Sequence, residues 1–317
     1  MLWLTWRQHR LQLLAMAAVL AMAAGYLIYR ALPYVEPARL LHACGGGSAS
    51  DAECQTLFNY VGVDGGLNIA LVSVNLIPAL VGAFWGAPLL AREYERGTHQ
   101  LVWGQSVTRR RWLGAKLALL GPVALLGGAA QGALLTWATD KFLVLGTVNR
   151  FGDRFLFGVV GVVPPALWLF SLVLGLAVGL LVRRSVPAMA ITLAVFAAVM
   201  AGLAMVRPYY AEPKVEKPAL AAGPTVFAVH EDWTLGTVFR HTDGRDVPAS
   251  TAAELCPQPA ESAPDTACLA RHGIEVLDKY HPGRRFWRFQ WIEAGILVAG
   301  AVLIGGLTLA RVSRRAD

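Results

Sequence analysis

The run Arg92-Glu93-Tyr94-Glu95-Arg96-Gly97-Thr98 puts four charges into five consecutive positions, and Arg109-Arg110-Arg111 follows shortly after. Side chains of these types make charge-assisted contacts. They can hold headgroup phosphates, pair with one another across a loop, or seat a complementary protein surface. Groups suited to bond-making chemistry are sparse elsewhere. All seven His lie outside the long apolar stretches. His230-Glu231-Asp232 and His241-Thr242-Asp243 could form a metal site, but in a Pro-rich segment they read as solvated turn residues. A membrane-embedded enzyme would need a nucleophile with its base, or clustered His and acid, at membrane depth, and no such cluster is found. No G-x4-G-K-[ST] run occurs, so the chain carries no ATPase motif and is expected not to be an enzyme.

These residues must be positioned by apolar elements. The 317-residue chain is 56% hydrophobic and 15% charged, with a mean hydropathy of +0.49, too apolar for a soluble domain. Stretches of about 20 apolar residues predict six membrane helices, over 11–29, 67–91, 117–138, 155–182, 186–206 and 291–310. The expected fold is an all-α integral membrane protein. Residues 1–206 would form helices one to five, with an outer loop at 30–66. Residues 207–290 would form a small extracytoplasmic loop domain, and 291–317 the sixth helix with its tail. Within that loop domain, Thr225–Val229 and Thr234–Arg240 suggest short strands and Ile274–Tyr280 a helical turn or two. Gly82-x3-Gly86, Gly128-x3-Gly132 and Gly175-x3-Gly179 each offer a small face for close helix packing.

Charge density orients the chain. With both termini on one side, that side holds 13 basic residues in 45 positions, against 15 in 137 opposite. The positive-inside rule then puts both termini in the cytoplasm of a multi-pass protein of the cell membrane. Anionic membrane lipids satisfy the inner arginines, so a pI near 9.5 calls for no nucleic acid partner. All four cysteines fall on the oxidising side. The simplest pairing is local, Cys44 with Cys54 and Cys256 with Cys268, although four cysteines allow three connectivities. Their spacings are not those of zinc ribbons. Polar residues inside the spans are few. Asn68 and Asn75 are seven apart on one face and, with Thr192, are the candidates for lining a wet pathway, while Glu293 is expected to form an interfacial ion pair near Arg284, Arg285 and Arg288.

The charged loop at 92–112 shows the signals of a short helix. Gly97-Thr98 offers an N-cap, Leu101, Val102 and Trp103 an apolar face, and Ser106 or Thr108 a cap for the next helix. Glu93 and Glu95 stand at the C-terminal end of one helix and the three arginines at the start of another. Both placements oppose the helix macrodipole by roughly 0.3 to 1 kcal/mol, so something must compensate.

The run Arg92 to Thr98, followed by Ser106-Val107-Thr108-Arg109-Arg110 and by Gly114-Ala115-Lys116-Leu117, resembles the cytoplasmic motif of ABC-2 type transporter permeases. The closest resemblance is to actinobacterial members. His99 and Gln100 stand where the family commonly has an acidic residue, and Ser106 where it has Pro. The resemblance implies a short cytoplasmic coupling helix between the second and third spans. Arg92, Glu93, Glu95, Arg96, Gly97, Thr98, His99, Leu101, Trp103 and Gln105 would lie against a separate nucleotide-binding subunit, an ABC ATPase. ATP and Mg would be bound by that partner, with no cofactor or metal in this chain and no catalytic residue. A second permease copy or a sibling would complete the pathway. The implied activity is ATP-driven export of a hydrophobic or amphipathic substrate such as a lipid, peptide or drug. Two other functions remain open: an ABC-coupled envelope signalling or remodelling protein, and a membrane enzyme with an extracytoplasmic site.

Overall fold

The computed structural model describes residues 20–29, 74–95, 109–143, 149–217, 232–257 and 265–314, with a few isolated positions before residue 33. Asn68, Cys44, Cys54, the expected strand Thr225–Val229 and the loop residues Arg96, Gly97, Thr98, His99, Leu101, Trp103 and Gln105 lie outside the described residues.

The described chain is mostly helical. Helix α1 is Leu20–Tyr29. Helix α2 runs through Leu76–Val81, a π-helical turn at Gly82–Gly86, and Ala87–Glu95. Helix α3 is Arg109–Leu143, α4 is Val163–Val182 and α5 is Ser185–Val206. The loop domain holds α6, Ala249–Leu255, and α7, Thr266–Arg271, and is followed by α8, Phe286–Arg314. Four stretches are long and apolar enough to cross a membrane: Arg111–Asp140, Val163–Val182, Ser185–Tyr209 and Gly283–Val312. The fourth expected span begins eight residues late, because residues 155–162 form apolar turns, mostly buried, before α4.

Helix α4 lies at the centre. Within its apolar window 72% is buried, against 11% to 33% for the other three, so it touches protein where they face outward. Its packing uses all three small-residue faces. A methyl group at Gly175 would strike the Gly82 carbonyl and one at Gly179 the Ala87 carbonyl, while Gly128 and Gly132 of α3 abut Pro164, Pro165 and Gly161. Backbones meet directly, which suits a setting where helices gain little from the hydrophobic effect alone. Ser171 of α4 adds a hydrogen bond to the Pro78 carbonyl, 2.5 Å away, just before the π-turn of α2.

The N-terminus of α4 shows how a buried helix end is satisfied. Its first four backbone groups belong to Val162, Val163, Pro164 and Pro165. The two prolines have no N–H to satisfy. The other two N–H groups both donate to the Gln290 side-chain oxygen of α8, each at 3.1 Å. The Gln290 amide then donates to the Phe157 carbonyl at 2.8 Å, and Gly161 N–H donates to Thr136 of α3 at 2.9 Å.

Arg207, at the end of α5, forms a two-pronged ion pair with Glu293 of α8, at 2.9 and 3.0 Å. Both residues are buried, and the guanidinium stacks 4.0 Å over Phe157. The sequence places the Glu293 ion pair at the interface near Arg284, Arg285 and Arg288, but α8 begins at Phe286 and Glu293 is buried facing Arg207 at the end of α5.

The loop domain corrects the all-α expectation. It holds an antiparallel sheet in the order β1-β4-β2-β3, with β1 Lys214–Glu216, β2 Trp233–His241, β3 Asp246–Val247 and β4 Ile274–His281. The stretch read as helical turns, Ile274–Tyr280, is a strand paired to β2 along its length. Ile274 and Val276 pack on the α6–α7 pair, while Leu277 and His281 are buried from the opposite face. Burial on both faces erases the alternation that marks a strand in sequence. Cys256 and Cys268 are joined in a disulfide between α6 and α7. A cluster of Phe151, Trp233, His281, Phe286 and Phe289 rings, with centroids 4.9 to 6.4 Å apart for the contacting pairs, ties this domain to α8.

Two outcomes follow from these contacts. Replacing Glu293 with Gln strands the Arg207 charge in an apolar setting and should cost about 3–5 kcal/mol, whereas Arg207→Met combined with Glu293→Leu should recover most of the loss. Thermal unfolding in detergent measures both. His281, fully buried, donates from Nε2 to the Pro208 carbonyl at 2.9 Å and accepts at Nδ1 from Arg285 at 3.2 Å, so the ring is neutral. Burial pushes its pKa below the ordinary 6.5, and the nearby Arg285 and Lys279 charges add to this against the Pro208 bond. The unfolded chain therefore binds a proton first. Stability should fall as pH drops below 6.5 toward the lowered folded pKa, and His281→Gln should flatten that slope in unfolding curves taken between about pH 7.5 and 5.

Candidate functional site

The first four residues of the charged run, 92–95, sit at a joint between four helices. Residues 92–95 are not loop but the last turn of α2, which places their side chains against α3 and the α4–α5 turn. Arg92 is exposed. Glu93 forms an ion pair with Lys116 of α3. Lys116 is buried, stacks 4.1 Å over the Trp112 ring and reaches the Leu89 carbonyl at 3.5 Å. Tyr94 lies under the Arg183 guanidinium, 5.3 Å from its ring centre.

Glu95 reaches furthest. Its carboxylate accepts a hydrogen bond from the Ser185 backbone N–H at 2.8 Å and another from the Ser185 hydroxyl at 2.6 Å. Ser185 is the first residue of α5. A carboxylate that is misplaced at the end of its own helix is thus well placed at the positive end of another. The two hydrogen bonds from Ser185, hydroxyl first, hold the Glu95 carboxyl below the usual carboxylate range, with smaller help from Arg92 and Arg184. The same contact steadies the turn. Arg183 adopts a left-handed backbone with φ 57° to close α4 onto the Gly179 carbonyl, and Arg184 is extended. Such a conformation is unfavourable for a residue with a Cβ, and Tyr94 and Glu95 brace the turn from either end.

Of the polar residues singled out for a pathway, Asn75 is half-buried just before α2. Thr192 is buried and donates back to the Ala188 carbonyl of its own helix at 2.7 Å. The Cys256 and Cys268 sulfurs lie near His272, a grouping that could hold a metal only with the disulfide opened. Sequence reasoning missed Tyr94, Ser185 and Arg207. For Ser185 the signal was available: a hydroxyl residue directly after two arginines and before an apolar run is a helix-start pattern. Nothing in the sequence marked the acid that would meet it.

A model of the family described as ABC-2 membrane transporter related matches residues 14–207. The chain belongs to that family. The match takes in α1 to α5 and the whole joint around Glu95, and stops at the Arg207 that clasps α8. No curated protein and no solved structure matches the chain. As an ABC-2 permease the chain is a membrane component of an ABC transporter, a class that works with an ABC ATPase.

The joint makes a prediction of its own. Glu95→Ala should raise amide hydrogen exchange over residues 184–188 by at least about fivefold, because the α5 N-terminus loses its acceptor. Arg92→Ala, on an exposed side chain, should leave that exchange unchanged.

Proposed function

We propose that this chain is the membrane-spanning subunit of an ATP-driven exporter. Six spans with both termini in the cytoplasm carry a coupling loop at 92–112 to a separate ABC ATPase, which binds ATP and Mg. The observation that carries the reading is the attachment of Glu93, Tyr94 and Glu95 to three other helices. A push delivered at the end of α2 has no slack to absorb it. It passes to α3 through Lys116 and to α5 through Ser185. Closure of the ATPase dimer would shift α2, and these contacts oblige α3 and the α4–α5 turn to follow, with differential contacts in two states supplying the work. A second permease copy or a sibling completes the pathway. The cargo is a hydrophobic or amphipathic molecule, and the direction is outward, since no docking loop for a soluble solute receptor is recognisable in the sequence.

A second reading, in which the outer domain is moved to signal or remodel the envelope, draws on the aromatic cluster that fixes that domain to α8. In either reading the ATPase associates.

Expression with the ATPase encoded beside this chain tests the proposal. Wild type should co-purify with the ATPase in mild detergent, and Thr98→Ala should weaken the complex. Glu95→Ala should retain the complex but lose stimulation of ATP turnover by cargo, because the Glu95 carboxylate ties α2 to the start of α5. Failure of any ATPase to associate would overturn the reading.

A further inference from the structure

Helices α4 and α8 run side by side in the same direction. Gln290 of α8 caps the start of α4, a methyl group at Gly300 would press on the Phe170 ring, and one at Gly305 would meet Val173. Towards their C-terminal ends the two helices leave a cleft of ≈ 500 Å³, walled by Ala177, Leu180 and Leu181 of α4 and by Ile304 and Leu307 of α8, with Arg311 of α8 at one end. Leu181 and Leu307 are 58% and 63% exposed, so the cleft is open along its outer edge. Thr308 also lines it, but its hydroxyl donates to the Ile304 carbonyl at 2.7 Å and is already satisfied.

Depth sorts the charge from the walls. The spans Val163–Val182 and Gly283–Val312 end one residue beyond Leu181 and Arg311 respectively, so the Arg311 end of the cleft lies where the hydrocarbon gives way to headgroups. Ile304 is seven residues earlier, about 10 Å deeper at the helical rise per residue. Arg311 is exposed, and neither α4 nor the part of α8 after Glu293 contains an acid. The α2 acids that reach this end of the bundle are committed elsewhere, Glu93 to Lys116 and Glu95 to Ser185. A cation in the last turn of a helix suits the macrodipole, which accounts for a basic residue at 311 but not for an apolar cleft leading up to it. The occupant that complements both has an apolar chain and, at headgroup level, an anion. Guanidinium matches phosphate oxygens with paired hydrogen bonds, which a single carboxylate on a fatty acid carries at the wrong charge density and a zwitterionic headgroup offsets with its own cation.

We propose that the α4–α8 cleft binds an anionic phospholipid, its phosphate on Arg311 and one acyl chain between Leu180, Leu181, Ile304 and Leu307. The proposal rests on the geometry of α4 and α8 and not on the export reading. It therefore stands or falls without the ATPase.

The test is photolabelling of the full-length protein alone, without ATPase, nucleotide or cargo, in phosphatidylcholine nanodiscs carrying a trace of probe. The probes are phosphatidylglycerol and phosphatidylcholine with the same diazirine-bearing acyl chain. Diffuse attraction to a basic residue favours an anionic lipid by about fivefold near that surface. Labelling of residues 304–310 is therefore read against labelling of α5, which is only 11% buried along its apolar window. At 304–310 phosphatidylglycerol should outlabel phosphatidylcholine by about tenfold more than it does on α5, the size expected of a charge-assisted pair. Arg311→Gln, a change on an exposed side chain, should erase that excess, and Arg311→Lys should keep part of it. Arg184→Gln, also on an exposed side chain but outside the cleft lining, should leave it unchanged. An excess no greater than that on α5 would overturn the proposal. So would an excess lost equally in Arg184→Gln and Arg311→Gln, or one displaced as readily by an unlabelled fatty acid as by unlabelled phosphatidylglycerol. Wild-type protein in which 304–310 takes no label, because a second copy or another segment of this chain fills the cleft, would overturn it too.

Discussion

Backbone groups at a helix end need partners, and inside a membrane protein water does not supply them. That constraint shapes both ends of the α4–α5 pair. At the start of α4, two prolines remove two donors and Gln290 of α8 takes the remaining two. At the start of α5, Glu95 of α2 supplies the acceptor. In each case the cap comes from a different helix, so satisfying the backbone also fixes where the neighbouring helix stands. Gln290 suits the more buried site because a neutral amide can both accept and donate there. Glu95 suits the more open site, where its charge keeps solvent contact while facing the positive helix end.

The same logic explains how much was legible beforehand. Long apolar runs announced α3, α4, α5 and α8, because hydrophobic length is a local property that one stretch of sequence carries by itself. The small-residue faces were also legible, and all three are spent on packing within the chain, against or beside α4. Partnerships between distant residues were not. Glu93 and Glu95 advertised an electrostatic conflict that needed compensation, yet Lys116 and Ser185, their partners, could be found only once α3 and α5 were placed. The sequence places Glu293 in an interfacial ion pair, but its partner Arg207 lies 86 positions away and sits at a span boundary, where hydropathy reads a helix end. The β4 strand was missed because it is covered on two faces, which leaves no period of two to detect.

Helix α4 touches most of the membrane helices but carries no charge of its own in its span. Its closest contacts with α2 and α3 bring backbone against backbone at the glycines, a kind of packing in which a small shift brings carbonyls into collision. The movable contacts are instead the ion pairs and caps at the ends, where a hydrogen bond can be exchanged. A core that resists deformation, ringed by polar joints, directs motion into rotations about the joints.

Those joints fall into two sets. One set, Glu93, Tyr94 and Glu95 with Lys116, Arg183 and Ser185, ties α2 to α3 and α5. The other set, Gln290 and Glu293 with the α4 start and Arg207, ties α8 to α4 and α5, and the aromatic cluster carries that tie on into the sheet. Helix α5 belongs to both, held by Glu95 at its first residue and by Arg207 just past its last. It is also the least enclosed of the long helices, with only 11% of its apolar window buried. A helix gripped at its two ends and loosely packed along its length transmits a displacement from one end to the other at low cost in broken contacts. In this chain a change imposed on the end of α2 therefore has a short physical route to the loop domain, through α5, Arg207 and α8.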